Sequence, residues 1–316
     1  MPAYNAEKWV KASLLSVTSQ TWTNLEIIVV NDGSVDETEK EIQSVEDSRI
    51  IYLRQENKGQ AAACNTGLQQ ATGAFIKFFD ADDVMNPEHI EAQLDRLKDN
   101  ENAIASCAWG KFNSNDSPLS AKFIPETVWK DMQSLAWLKA ALHQPKDMMG
   151  ACLWLIPRAV MEKAGGWDER LSLNNDFEFS IRLLLHADEV LFTGSAKIYY
   201  RSIHQSLSKV LSRSSVEAML LSTRLGCSYL LAADGSDEMK KLCANRYQDW
   251  VYQVYPLYPD LVQKMETIIA GLGGSDLTPQ GGRIFRLLMP VIGWKSVKRI
   301  QQLAYRNGYL KTGKKK

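Results

Sequence analysis

The sequence predicts an α/β fold, with a mostly parallel sheet flanked by helices over residues 1–210 and a helical region over 211–316. Three observations predict it. Strand-like apolar runs alternate with helix-like stretches between residues 25 and 110, the pattern of successive βαβ units. Two of those runs end abruptly in turn and acidic residues, Leu25–Val30 in Asn31-Asp32-Gly33-Ser34 and Phe75–Phe79 in Asp80-Ala81-Asp82-Asp83. Strand ends of that kind are where open α/β sheets bind ligands. Beyond Ser212 the pattern is helical to the end, broken by Gly271–Gly274 and Gly281-Gly282.

Each element follows in order. Leu25–Val30 is an apolar strand run, and the turn residues after it lead to a helix near Asp36. Arg49–Leu53 reads as a short strand. Asn57-Lys58-Gly59 opens a small-residue helix over Gln60–Gln70. Phe75–Phe79 is the next strand. Asn86-Pro87 starts a helix, since proline fits the first turn where its missing N–H costs nothing. Ala103–Trp109 reads as a strand. Lys111–Lys130 is polar and turn-rich, a long loop of the kind that carries function. A helix over Leu135–Leu142, a strand over Ala151–Ile156 and a helix over Ala159–Ala164 precede the turn Gly165-Gly166. Asp176–Leu185 fits a helix, and Val190–Phe192 and Lys197–Tyr200 fit two strands. The opening Met1-Pro2-Ala3-Tyr4-Asn5 reads as the exit of a strand whose body is missing. A central strand left out exposes unpaired backbone groups at about 1–3 kcal/mol each. Four to six apolar residues encoded upstream, or else an unstable product, are therefore expected.

At 316 residues, 45% hydrophobic and 23% charged, the chain has the composition of an ordinary globular protein. Its five cysteines, at 64, 107, 152, 227 and 243, form no CxxC pair, which argues against a zinc site or disulfide framework and suits a reducing compartment. The sequence shows neither a basic-then-apolar leader pattern nor a run of 18 apolar residues. Net charge is zero but unevenly spread. Leu277–Lys316 holds ten of the 37 Lys and Arg and no acid, leaving 27 bases against 37 acids in residues 1–276. An acidic body with a basic tail points to an anionic surface as partner.

The acids after Phe79 carry the most chemical information. Three carboxylates within four residues repel one another unless a cation or a proton sits among them. Mg²⁺ accepts one or two carboxylates together with phosphate oxygens, so a divalent cation holding a phosphorylated ligand accounts for them. Asp83 reads either as part of this group or as the cap of the following helix. Asp32 reads as a turn cap or as a carboxylate accepting from a ligand N–H.

Seven segments, in order, resemble glycosyltransferase family 2, the inverting nucleotide-sugar transferases of GT-A fold. They are Pro2-Ala3-Tyr4-Asn5, Val30-Asn31-Asp32-Gly33-Ser34-Val35-Asp36, Asn57-Lys58-Gly59 with Asn65-Thr66-Gly67, Asp80-Ala81-Asp82-Asp83, Gly165-Gly166-Trp167-Asp168-Glu169, Asn175-Asp176-Phe177-Glu178, and Tyr199-Tyr200-Arg201-Ser202-Ile203-His204. The resemblance covers residues 1–210 and implies a Rossmann-like nucleotide-binding core. It implies a donor site of Pro2, Ala3, Tyr4, Glu7, Asp32, Gly59, Asp80 and Asp82, with Tyr4 stacking on the base and Asp32 reading a uracil-like edge. It implies Mg²⁺ or Mn²⁺ on Asp82 and His204, Asp176 as the catalytic base with Glu178 as the fallback, and Trp167, Asp168 and Glu178 on the acceptor side. Two departures stand out. Asn175 occupies the place of the family's usual Glu before the base, and Cys64 that of a frequent Arg.

The implied reaction moves a sugar from a nucleotide-diphosphate donor, UDP-linked by resemblance, to a saccharide or lipid-linked hydroxyl in polysaccharide or glycolipid synthesis. No nucleic acid is expected among the partners. Two alternatives stand beside it. In a haloacid-dehalogenase-like phosphatase, Asp80 of Asp80-Ala81-Asp82-Asp83-Val84 would be the nucleophile. In a non-catalytic sugar-nucleotide-fold protein, ligand would bind without turnover. The expected location is cytoplasmic. Residues 283–316 interleave bases with Ile, Leu, Phe, Trp and Tyr, so they either lie on the inner face of the plasma membrane or pack their apolar side on the catalytic domain.

Overall fold

The computed structural model describes residues 1–98, 100–143, 148–203 and 211–306. The chain runs β1 (Pro2–Ala3), α1 (Val10–Thr18), β2 (Ile27–Asp32), α2 (Thr38–Gln43), β3 (Ile50–Gln55), α3 (Gln60–Gln70), β4 (Phe75–Ile76), β5 (Val84–Met85), α4 (His89–Leu97) and β6 (Ala103–Asn113). It continues through β7 (Lys122–Phe123), β8 (Met132–Gln133), α5 (Ser134–His143), β9 (Ile156–Pro157), α6 (Arg158–Ala164), α7 (Asn175–Leu184) and β10 (Glu189–Ser202). Five helices follow: α8 (Arg213–Ala233), α9 (Asp237–Val254), α10 (Pro259–Gly271), α11 (Arg283–Ile292) and α12 (Trp294–Arg306).

Among the described residues the strands form three sheets. β1, β2 and β3 are parallel, with Pro2 opposite Val30 and Ile27 opposite Ile50. The opening segment that reads as a strand exit therefore does pair, through two residues. β10 pairs parallel to β6 along its length and antiparallel to β5 and β8. β4 pairs antiparallel with β9. A cavity of about 540 Å³ lies between β2 and β4, lined among others by Met1, Glu26, Ile28, Leu68, Phe75 and Lys77. One core cluster gathers Val10, Leu14, Val29 and Ile42, joining α1 and α2 to β2. Burying each such side chain contributes about 1.5–3 kcal/mol.

Four expectations change. The strand expected over Phe75–Phe79 pairs only through Phe75–Ile76. The two strands expected over Val190–Phe192 and Lys197–Tyr200 are one strand with a bulge between Thr193 and Lys197. Pairing with β6 on both sides of Gly194-Ser195-Ala196 absorbs the irregularity instead of ending the strand. Ala151–Leu153 is a short 3₁₀ turn, and only Ile156–Pro157 pairs, because an apolar run signals burial without fixing conformation. The loop 111–130 is partly ordered, since β6 runs to Asn113 and β7 pairs back on it at Gly110 and Lys111.

Two compact units divide at Ala233/Asp234. Helix α8 belongs to the α/β unit. At Gly226 an added Cβ would come within 2.7 Å of the Phe177 ring and 2.9 Å of Ile181 Cδ1, and that close approach holds α8 to α7. In the second unit Ser236 caps α9 by accepting the Met239 N–H at 3.2 Å. Phe285 anchors α11 and Val297 anchors α12, both buried. All five cysteines are buried, and none is joined in a disulfide among the described residues. No helix among the described residues is long and apolar enough to cross a membrane.

Candidate active site

The end of β2 builds one wall. Asp32 is 3% exposed, and its carboxylate accepts the Lys58 and Gly59 N–H groups at 2.9 and 2.8 Å and Gln55 Nε2 at 2.7 Å. It staples the loop that enters α3. Gly59 has φ 91° and Gly33 φ 72°, left-handed values that favour glycine. A Cβ on Gly33 would also lie 2.8 Å from the Asn57 nitrogen. Pro2 and Ala3 bring Tyr4 to this edge, 47% exposed. Glu7 accepts the Glu37 N–H at 3.0 Å, and its own N–H donates to Asp36. The sequence-expected donor residue Glu7 therefore spans the start of α2.

The acid cluster forms the floor, in the turn between β4 and β5. Asp80 and Asp82 are half-buried and Asp83 is buried. Asp80 accepts from Gln60 Nε2 at 3.1 Å. Asp83 Oδ1 accepts the Arg201 N–H at 2.8 Å, while its Oδ2 is buried without a partner. No helix follows at once: β5 does, so Asp83 is fixed by β10 and not by capping. Burial, with the Asp80 charge added, pushes Asp82 up to about 7. Burial, then the charges of Asp82 and Asp80, holds Asp83 well above the usual carboxylate range. Arg201 Nε donates to the Asp82 carbonyl at 2.7 Å, and its guanidinium lies 4.6 Å from the Phe112 ring centroid. This arginine stood in the sequence motif with no role assigned to it.

One ligating atom each of Asp80, Asp83 and Cys152 lies within 4.8 Å of the others. Burial, with the charges of Asp80 and Asp83 next, raises the Cys152 thiol well above its ordinary range, and the two carboxylates offer oxygen ligands. An orphaned buried carboxylate oxygen beside two more acids fits Mg²⁺ or Mn²⁺, which take hard oxygen ligands. His204 lies outside the described residues.

The N-terminus of α7 supplies the fourth acid. Asn174 has φ 61°, and that bend turns the chain into the helix. Asp176 Oδ1 accepts the Ala151 N–H at 2.9 Å. Burial, with the Asp80 charge next, pushes Asp176 up to about 7. Asn175 Nδ2 donates to Gln60 Oε1 at 3.4 Å. Gln60 thus joins Asp80 to α7, a bridge that reading Gln60 as a plain helix start missed.

The other expected acceptor-side residues are engaged elsewhere. Glu178 is 2% exposed and pairs with Arg182 at 2.6 Å. Arg182 also donates to the Ala164 and Gly166 carbonyls, so the pair braces the glycine turn. Trp167 is buried and stacks on Phe179 with centroids 4.0 Å apart. Asp168 takes Arg170 at 2.5 Å. Alternation and spacing in sequence do not reveal such partners.

The raised acids set a pH dependence. Between about pH 4 and 7 the folded chain keeps protons on Asp82 and Asp176 that the unfolded chain has released. Their contribution to stability therefore falls as pH rises through 7. His89, whose pKa burial lowers, acts with the opposite sign, so the comparison needs a variant. In EDTA, the melting temperature of the parent should fall between pH 5.5 and 8 relative to that of Asp82→Asn/Asp176→Asn. Parallel profiles would show that these acids are not shifted.

Comparison with known proteins identifies the family and the fold. The family model described as glycosyl transferase family 2 matches residues 1–207. An uncharacterized glycosyltransferase of Rickettsia prowazekii is 33% identical over 180 residues, 56% of this chain and 55% of that protein. The Escherichia coli UDP-Glc:alpha-D-GlcNAc-diphosphoundecaprenol beta-1,3-glucosyltransferase WfgD is 38% identical over 126 residues, 39% of this chain and 49% of that protein. The chain spans about half the length of these two relatives. The crystal structure of S. aureus TarS 1–349 in complex with UDP-GlcNAc superposes with a TM-score of 0.69 at 18% identity, covering 97% of this chain and 90% of that one. That likeness shows the GT-A fold.

Proposed function

The chain belongs to glycosyl transferase family 2, and from that premise we propose that it is an inverting, metal-dependent enzyme using a UDP-linked sugar. The observation that carries the reading is the convergence of Asp80, Asp82, Asp83 and Asp176 at strand and helix ends, with one buried oxygen of Asp83 unpaired. Phosphatase chemistry on Asp80 has no support in the family match.

In this reading Asp80, Asp82 and Asp83 would hold Mg²⁺ or Mn²⁺. The cation, when bound, would neutralise the charge gathering on the leaving diphosphate. Tyr4 and the Asp32-stapled loop at Gly59 would flank the nucleoside. Asp176 would take the proton of the acceptor hydroxyl as its oxygen attacks the anomeric carbon. One C–O bond forms opposite the bond that breaks, which inverts the configuration. A value near 7 suits a base working at neutral pH. His204 remains a proposed second metal contact. The WfgD name specifies a UDP-linked glucose donor and a GlcNAc acceptor carried on diphosphoundecaprenol, which supports a lipid-linked or saccharide acceptor, met at a membrane when it is lipid-linked.

The test is thermal stabilisation of the full chain by nucleotide sugars with Mn²⁺ or Mg²⁺, followed by detection of released nucleoside diphosphate. A UDP-sugar at a hundredfold its Kd should add about 2.7 kcal/mol, and only with the cation. No shift with any nucleotide sugar would overturn the reading. A shift without turnover on any acceptor would favour a non-catalytic binder.

A further inference from the structure

Helix α11 turns its apolar stripe outward. Ile284, Leu287 and Val291 are 69%, 74% and 80% exposed, and Leu288 beside them is half-buried. The spacing i, i+3, i+4, i+7 puts all four on one helix face. Phe285, 2% exposed, anchors the other side. In α12, Ile300 and Leu303 are 51% and 58% exposed while Val297 points inward at 1%. A contiguous row of large aliphatic side chains in water marks a contact surface.

Charge identifies the occupant. Arg283 and Arg286 each precede a stripe residue and so lie about 100° around the helix from it. Both are exposed, as is Arg299. Lys295 is paired with Glu266, and Lys298 donates to the Tyr252 carbonyl. Residues 277–316 carry ten bases and no acid. A second copy on a two-fold axis would set these bases against themselves. An anionic bilayer answers both halves of the surface, with acyl chains for the stripe and phosphates for the arginines.

We propose that the α11–α12 face docks peripherally on an anionic phospholipid bilayer, with Ile284, Leu287, Leu288 and Val291 among the acyl chains and Arg283, Arg286 and Arg299 at the phosphates. The proposal rests on the membrane-held-acceptor reading for its purpose, but its test involves no turnover, so the two fail separately.

The test is co-sedimentation of the full chain with phosphatidylcholine vesicles, with and without about one third phosphatidylglycerol. The parent should bind the anionic vesicles. Leu287→Ser/Val291→Ser and Arg283→Gln/Arg286→Gln should each weaken partition by about tenfold or more. Melting temperatures should not move, because these side chains are exposed. Equal pelleting of parent and variants, or equal binding to neutral vesicles, would overturn the proposal. So would a dimer that Leu287→Ser/Val291→Ser dissociates in the absence of vesicle binding, which would assign the face to a second copy.

Discussion

Asp176→Asn is expected to lower transfer by about 10²–10⁴-fold, the usual worth of a positioned base, with donor affinity retained. The substitution is nearly isosteric. Its amide oxygen can still accept the Ala151 N–H that holds the start of α7, so the helix and its contacts should persist. The lost property is proton acceptance alone. The parent's rate should rise with pH as Asp176 ionises, and the residual rate of the variant should lack that limb. Glu178→Gln is the control. Glu178 is buried against Arg182, so its loss should act on stability, since breaking a buried pair costs about 3–5 kcal/mol. If Asp176→Asn stays active while Glu178→Gln abolishes transfer at an unchanged melting temperature, the two roles must be exchanged.

Asp82→Ala is expected to abolish cation-dependent donor binding, and turnover with it. The fold should survive, because Arg201 grips the Asp82 backbone carbonyl and not its carboxylate. Removing one of three mutually repelling acids also relieves the cluster, so the metal-free melting temperature at pH 8 should hold or rise. Calorimetric titration of UDP with and without Mn²⁺ checks it. A variant whose UDP affinity still depends on Mn²⁺ as the parent's does would remove Asp82 from the metal site.

Local pattern made much of this molecule legible. The helix Gln60–Gln70 stands where the sequence puts it, and the strand expected over Leu25–Val30 forms two residues later, over Ile27–Asp32, because apolar runs, small-residue faces and glycine turns act within a few residues. Asp80, Asp82 and Asp83 could be picked out because acids at the end of an apolar run are unusual, whereas Asp176 was implied by the family resemblance alone. Asp32 was visible as a site candidate, but its three donors, one from β3 and two from the loop after it, were not. Trp167 could be named but not placed, since stacking on Phe179 depends on how α7 meets the glycine turn.

The sequence alone determined the order of α/β elements, the position of the acids and the basic, acid-free tail, because each is a property of neighbouring residues or of counts. Only the tertiary structure decided which groups face one another. It brought Arg201 of β10 to Asp83, joined Asp80 to Asn175 through Gln60, committed Glu178 to Arg182, packed α8 on α7 and left the α11 stripe facing water. The physical reason is the range of the forces. Propensity and patterning act along the chain, whereas burial, ion pairing and carboxylate repulsion depend on distances set by residues as many as 119 positions apart.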